Sequence, residues 1–210
     1  MDVEVRRRTM CSRVLIALTL SAGMSLAASA ASAEPMPRPQ VDYRASVKTP
    51  QGTQMTMAHS QGRMRMDVTG AEIPGTMTSF IDLSRGRMTV LIAAPGIDKR
   101  ALEIELPATF AFVDPEGEGT RTGTDMVAGE ACDLWVMKPP VGNAPIETCI
   151  TSDGIVLRAS TAIEGKNVVV YEVLELERTP QDPALFELPK GVKVTKIPPG
   201  VQGLIPNLGR

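Results

Sequence analysis

The residues of this chain best suited to chemistry are its thioethers. Of 12 methionines, Met55 and Met57 stand two apart, and so do Met64 and Met66, on either side of the turn-forming Ser60-Gln61-Gly62. Side chains of a strand alternate between faces, so each pair shares one face. If the two-residue loop is Ser60-Gln61, Met57 faces Met64 and Met55 faces Met66. If it is Gln61-Gly62, Met57 faces Met66 and His59 faces Met64. Both registers gather all four thioethers on one face. Met77 and Met88, in the strands that follow, extend the patch. Three uses are open for it. It is ordinary core, or an adaptable groove for greasy ligands because Met is flexible and polarizable, or a Cu(I) site of M-x-M pairs with His59. We assign no metal ligand. Arg63 and Arg65 alternate with Met64 and Met66 and are expected on the opposite face as a solvated stripe.

Catalytic constellations are not legible. The single histidine, His59, has no recognisable Ser or Cys partner. The sequence holds no G-x-S-x-G, H-E-x-x-H, phosphate loop or dinucleotide fingerprint. Asp153-Gly154 reads as a turn rather than an acid for catalysis. No catalytic residue and no cofactor is predicted, and the chain is read as a protein that is not an enzyme.

The elements that must position these residues are strands. Short alternating runs succeed one another: Val41 to Thr49, Thr53 to His59, Gly62 to Thr69, Met77 to Asp82, Arg87 to Ile92 and Lys99 to Leu106. Arg121 to Val127, Ala131 to Met137, Thr148 to Ser160, Asn167 to Arg178 and Val192 to Ile197 follow. Gly, Pro and Asp punctuate them at spacings that argue for an antiparallel sandwich or barrel. Pro107 to Gly119 and Asp182 to Phe186 are the places for short helical turns. In the second, Asp182 fits an N-cap and Pro183 the first helical position. The tail 199–210 is expected to be extended or disordered.

The N-terminus predicts where the chain works. Arg6, Arg7, Arg8 and Arg13 are followed by an apolar run from Val14 to Leu26 and by Ala31-Ser32-Ala33. A charged head, a greasy middle and an A-x-A ending predict a cleaved signal peptide over 1–33 and a periplasmic product. The apolar run is short for a membrane span, which needs about 20 residues, so no integral membrane protein is expected after cleavage. Residues 34–198 then form a single exported domain. The full chain carries a net charge of −2, and losing the n-region arginines makes the product more acidic. Such a chain, with one Trp, two Tyr and four Phe, lacks the basic patches and stacking platforms that nucleic acid requires.

Cys132 and Cys149 remain after cleavage. An even pair in an exported chain suggests a disulfide. Folding the turn-rich Lys138–Pro145 segment between Pro140 and Val141 sets Cys132 directly across from Cys149. Trp135, near Cys132, is expected to pack on the disulfide side of the core.

Several runs in order resemble a known group. They are Gly62-Arg-Met-Arg-Met-Asp67, Phe80-Ile-Asp-Leu83, Gly129-Glu-Ala-Cys-Asp-Leu-Trp135, Cys149-Ile-Thr-Ser-Asp-Gly-Ile-Val-Leu157 and Asp182-Pro-Ala-Leu-Phe-Glu-Leu-Pro-Lys-Gly191. From about Val41 to Ile197 the chain resembles small bacterial periplasmic proteins related to the LolA/LolB/RseB lipoprotein-binding group. The resemblance implies a mainly β fold: a strongly curved antiparallel sheet, an incomplete barrel with one or two short helices and an apolar concave side. In that group the concavity takes acyl chains. The sequence departs from it in having little signal for the helices that plug the barrel, and no transport residue is carried over.

The expectation is therefore a binding module. Its apolar face, with Met55, Met57, Met64, Met66, Met77 and Met88, would hold an acyl chain, lipid or lipoprotein segment. The alternative is an envelope scaffold or stress-sensing protein that binds a protein partner through a sheet edge or through Arg63 and Arg65. Copper handling is the third reading.

Overall fold

Alternating apolar and polar residues, broken every few positions by Gly, Pro and Asp, give the chain a succession of half-buried strands. In the computed structural model they join one large, open, curved sheet. The structure describes residues 33–49, 53–70, 75–93, 100–107, 110, 117–138 and 144–198, all within the compact unit Ala31–Arg210. The segment before Ala33, where a signal peptide is expected, and the tail after Pro198 lie outside the described residues.

The strands are β1 (Glu34–Pro35), β2 (Tyr43–Lys48), β3 (Gln54–Ser60), β4 (Arg63–Thr69), β5 (Thr76–Asp82), β6 (Arg87–Ala93) and β7 (Arg100–Glu105). They continue with β8 (Glu118–Val127), β9 (Glu130–Met137), β10 (Ile146–Ile150), β11 (Val156–Ile163), β12 (Lys166–Glu177) and β13 (Lys193–Lys196). Their order in the sheet is β1-β8-β9-β10-β11-β12-β2-β3-β4-β5-β6-β7-β13. All neighbours are antiparallel except β13, which lies parallel to β7. A 3₁₀ turn, Pro183–Phe186, starts as expected, with the Asp182 side chain accepting from the Ala184 N–H. At the other expected turn, the Phe110 N–H donates to the Pro107 carbonyl.

Three expectations need correction. The run from Thr148 to Ser160 is not one strand. It is β10 and β11 joined by a turn, in which the Thr151 N–H donates to Ile155 O and the Gly154 N–H to Thr151 O. Asp153-Gly154 turn chemistry outweighs the apolar run around it. The disulfide joins Cys132 and Cys149 with Cα atoms 5.4 Å apart, but the two do not face each other directly. Cys149 stands opposite Leu134, so the bridge is a diagonal between neighbouring strands, displaced by two residues from the expected register. An even slip keeps both cysteines on the same face, which is why the pair survives it. Trp135 is three residues from Cys132 on a regular strand, so its side chain leaves the strand on the other face from the disulfide, although Trp135, Cys132 and Cys149 all belong to one buried cluster.

One face of the sheet carries the main core. It can be followed through cross-strand partners: Val90 and Ser79, Met88 and Ile81, then Ile81 and Met64. Met66 partners Met57, Met57 partners Ala45, and Val47 partners Val173. Tyr171, Ala159, Thr148 and Trp135 carry the same face to β9. Nearly all of these side chains are buried. The disulfide lies on the reverse face.

Candidate functional site

The β3–β4 hairpin takes the second of the two registers. Gln61 and Gly62 form its tip with φ of 50° and 74°, the left-handed pair that a tight hairpin needs and that glycine adopts freely. Met57 therefore faces Met66, His59 faces Met64, and Met55 faces Val68. Met77 partners Val68 and Met88 partners Ile81 on the same face. The structure thus brings all six methionines onto one face. Met57, Met64, Met66 and Met88 are buried in the core, whereas Met55 and Met77 are half-buried and pack against it.

His59 is built into the same face. Its Nδ1 lies 2.9 Å from the Val41 carbonyl, and the Gly62 N–H reaches its Nε2 at 3.2 Å. A carbonyl only accepts, so Nδ1 carries the proton and Nε2 is the acceptor. The ring stacks on Tyr43 with centroids 5.3 Å apart. Burial lowers its pKa, against a smaller opposing effect of the Val41 hydrogen bond. Both nitrogens serve the fold, which leaves none for a metal ion. Burial likewise raises the Tyr43 and Tyr171 phenols. Tyr171 Oη donates to Val156 O at 3.2 Å and lies 3.3 Å from Met57 Sδ.

The N-terminal segment crosses the mouth of this face. Met36 N–H donates to Gly117 O, and Gln40 N–H to Asp153 O, both at 3.0 Å. Pro37, Arg38 and Pro39 cover a void of about 20 Å³ beside Met57, Met64 and Tyr171. Gly154 permits this contact. Its φ is +86°, and a Cβ there would lie 1.8 Å from the Arg38 carbonyl oxygen. Asp153 is held by Arg178, whose Nε approaches it at 2.6 Å while its Nη1 reaches Glu130 at 3.0 Å. The Arg178 hydrogen bond, with help from Thr151, keeps the Asp153 pKa below the ordinary carboxylate value despite partial burial.

On the reverse face the expected solvated stripe is covered. Arg65 grips Asp67 at 2.8 and 3.0 Å, donates to the Leu185 carbonyl at 3.2 Å, and lies over the Phe80 ring. Arg63 lies over the Phe186 ring. Residues 182–192 form a strap over β4–β7, with Leu188 and Val192 packed on Phe80, Leu91 and Ala101, before the chain joins the sheet edge as β13. The apolar residues of the strap, scattered among Pro, Gly and Lys, carry no strand period, so their packing partner was not visible from spacing alone.

Among the described residues two buried polar atoms have no hydrogen-bond partner, Trp135 Nε1 and Thr148 Oγ1. They belong to directly opposed residues of β9 and β10. Among the described residues no group of three or more His, Cys, Asp or Glu could hold a metal ion.

No family model matches the sequence, and no curated protein does. Solved structures do share the architecture. An uncharacterized conserved protein from Thermus thermophilus superposes with a TM-score of 0.53 at 15% identity, over 75% of this chain and 91% of that one. PNGF-II gives 0.50 at 15% identity over 75% of this chain, which spans 31% of PNGF-II. The likeness is one of fold. MucB, an RseB-like protein, is also a neighbour, with a TM-score of 0.45 at 14% identity over 72% of this chain and 58% of MucB.

Proposed function

We propose that this protein is exported and acts as a non-enzymatic binding module whose methionine face takes the acyl chain of a lipid or lipoprotein. The observation that carries the reading is the shared face. Half-buried Met55 and Met77 continue the buried quartet outward, and the segment Met36–Gln40 lies across the mouth. With a void of about 20 Å³ under Pro37–Pro39, a chain enters only when that segment lifts and the methionines repack, a change their flexible side chains tolerate. Burying a dozen methylenes contributes about 10 kcal/mol. A backbone hydrogen bond of the segment is worth only about 1 kcal/mol net. The disulfide supports export, since such bridges persist in oxidising compartments.

The test is a native mass spectrum of the protein isolated from the cell envelope. A lipid-mass adduct, lost on denaturation and absent from Met55→Asp and Met77→Asp variants that keep the disulfide, is the expected result. A bare wild-type protein, or an adduct that both variants retain, refutes the reading.

A second reading is favoured by the sheet edge. β9 pairs with one side of β8; on the other side, beyond Glu34–Pro35, no strand lies beside it from Thr120 to Val127 among the described residues, and Met126 there is 65% exposed. An extended segment of a protein partner would add to that edge. Crosslinking to a defined envelope partner that Met126→Arg abolishes would select it. The route through Arg65 is closed, because that side chain already holds the strap.

A further inference from the structure

The strap does not seal the reverse face. Between it and β4–β7 runs a groove of about 470 Å³, within the size of ordinary ligand sites, about 300–1,000 Å³. Its apolar walls include Phe80, Phe186 and Leu188. Its charged lining is Arg63, Arg85, Arg87 and Lys196 against Asp82 and Glu103, so cations exceed carboxylates by two. The carboxylates are engaged: Asp82 with Arg85 and Glu103 with Lys196, each at 3.5 Å. Asp82 also stands between Arg63 and Arg87 in the register, and Glu105 stands opposite Arg87. Yet among the described residues neither Arg63 nor Arg87 has a carboxylate within ion-pair distance. Arg63 is oriented by Phe186, with 5.2 Å from its guanidinium carbon to the ring centroid.

We propose that this groove binds an amphipathic organic anion, with its carboxylate or phosphate head on Arg63 and Arg87 and its apolar body against Phe80, Phe186 and Leu188. A guanidinium presents a planar fork of donors that matches both head groups. Stacking on Phe186 restricts Arg63 in advance, so less freedom is lost on binding. Arg63, Phe80 and Arg87 stand on the face opposite the methionines, although Met64 borders the groove, and the site does not depend on the acyl-chain reading.

The experiment is titration calorimetry of the mature, disulfide-bonded protein with octanoate, octyl phosphate and octanol. A charge-assisted hydrogen bond makes the better anion bind about tenfold more tightly than octanol, and the stronger of the two anions identifies the head group. Arg87 is exposed, so Arg87→Gln should keep the melting temperature while weakening that anion about fivefold or more. Arg63→Gln should weaken it similarly. The proposal is overturned if neither anion binds, if octanol binds as well as both, or if both arginine variants keep wild-type affinity. Anion binding lost in Met55→Asp and Met77→Asp but kept in the arginine variants would place the site on the methionine face and also overturn it.

Discussion

Asp125 on β8 and Arg158 on β11 form an ion pair across the two strands that the disulfide joins. Asp125 stands opposite Cys132, and Arg158 opposite Cys149. Four neighbouring strands are thus tied twice on the same face, once covalently and once by charge. The Arg158 hydrogen bond also lowers the Asp125 pKa.

The two ties should differ in strength. The cysteines are 17 residues apart, and closing a loop of that order removes about 3 kcal/mol of unfolded-state entropy in the chain-entropy model. A Cys132→Ser, Cys149→Ser variant should lose about that much stability in urea unfolding. Asp125→Ala should cost far less, because a solvent-screened pair contributes little. A larger loss from Asp125→Ala than from the double variant would reverse this ranking.

His59 should make stability depend on pH. Its folded pKa is lowered by burial from the ordinary 6.5. The unfolded chain therefore binds the proton more readily, and stability falls as pH drops below about 6.5, levelling off under the folded pKa. His59→Gln should flatten that slope in melting-temperature scans between about pH 7 and pH 4.5. A second loss belongs to the carboxylates. Asp67, Asp125 and Asp153 have lowered pKa values, so the stability they contribute is present above their ordinary 3.8 and is lost as pH falls through their folded values. An unchanged slope near pH 6 in His59→Gln would remove His59 as its source.

Gly154→Ala should dislodge the N-terminal segment. The new methyl group would meet the Arg38 backbone, and the left-handed φ adds strain. We expect about 2 kcal/mol or more of destabilisation, with faster proteolysis between Glu34 and Gln40. Wild-type cleavage there would show that the contact does not hold the segment down.

Met57→Ala should cost about 2–5 kcal/mol, the range for emptying a buried methionine site. Met55→Ala should cost distinctly less, because Met55 is only half-buried. Chemical denaturation of the two variants measures the difference, and equal losses would contradict the packing described.

Period-two alternation was enough to assign β3 to β6, because each strand buries one side and a slip by one residue would expose it. The methionine face followed from that parity alone: either turn at Ser60-Gln61-Gly62 keeps Met55, Met57, Met64 and Met66 together. Asp182-Pro183 announced its helical turn because capping is a local interaction between residues two apart. The cysteine pairing was legible for the same reason of parity, while its register was not. The β9–β10 ladder is regular, with Met137 opposite Ile146, so its register was set where the two strands are joined, and a turn-rich connection offers several closures two residues apart with the same parity.

Only the tertiary structure decided what covers each face. Met57 could be the wall of a groove or part of a core, and the difference lies in Pro37–Pro39, distant in the chain and free of any periodic signal. Arg65 read as solvated because its own strand says nothing of Leu185, 120 residues away, whose carbonyl it holds. Alternation reports which side of a strand is apolar, since that is a property of neighbouring residues. Coverage depends on long-range packing of irregular segments, and so it appears only when the chain is folded.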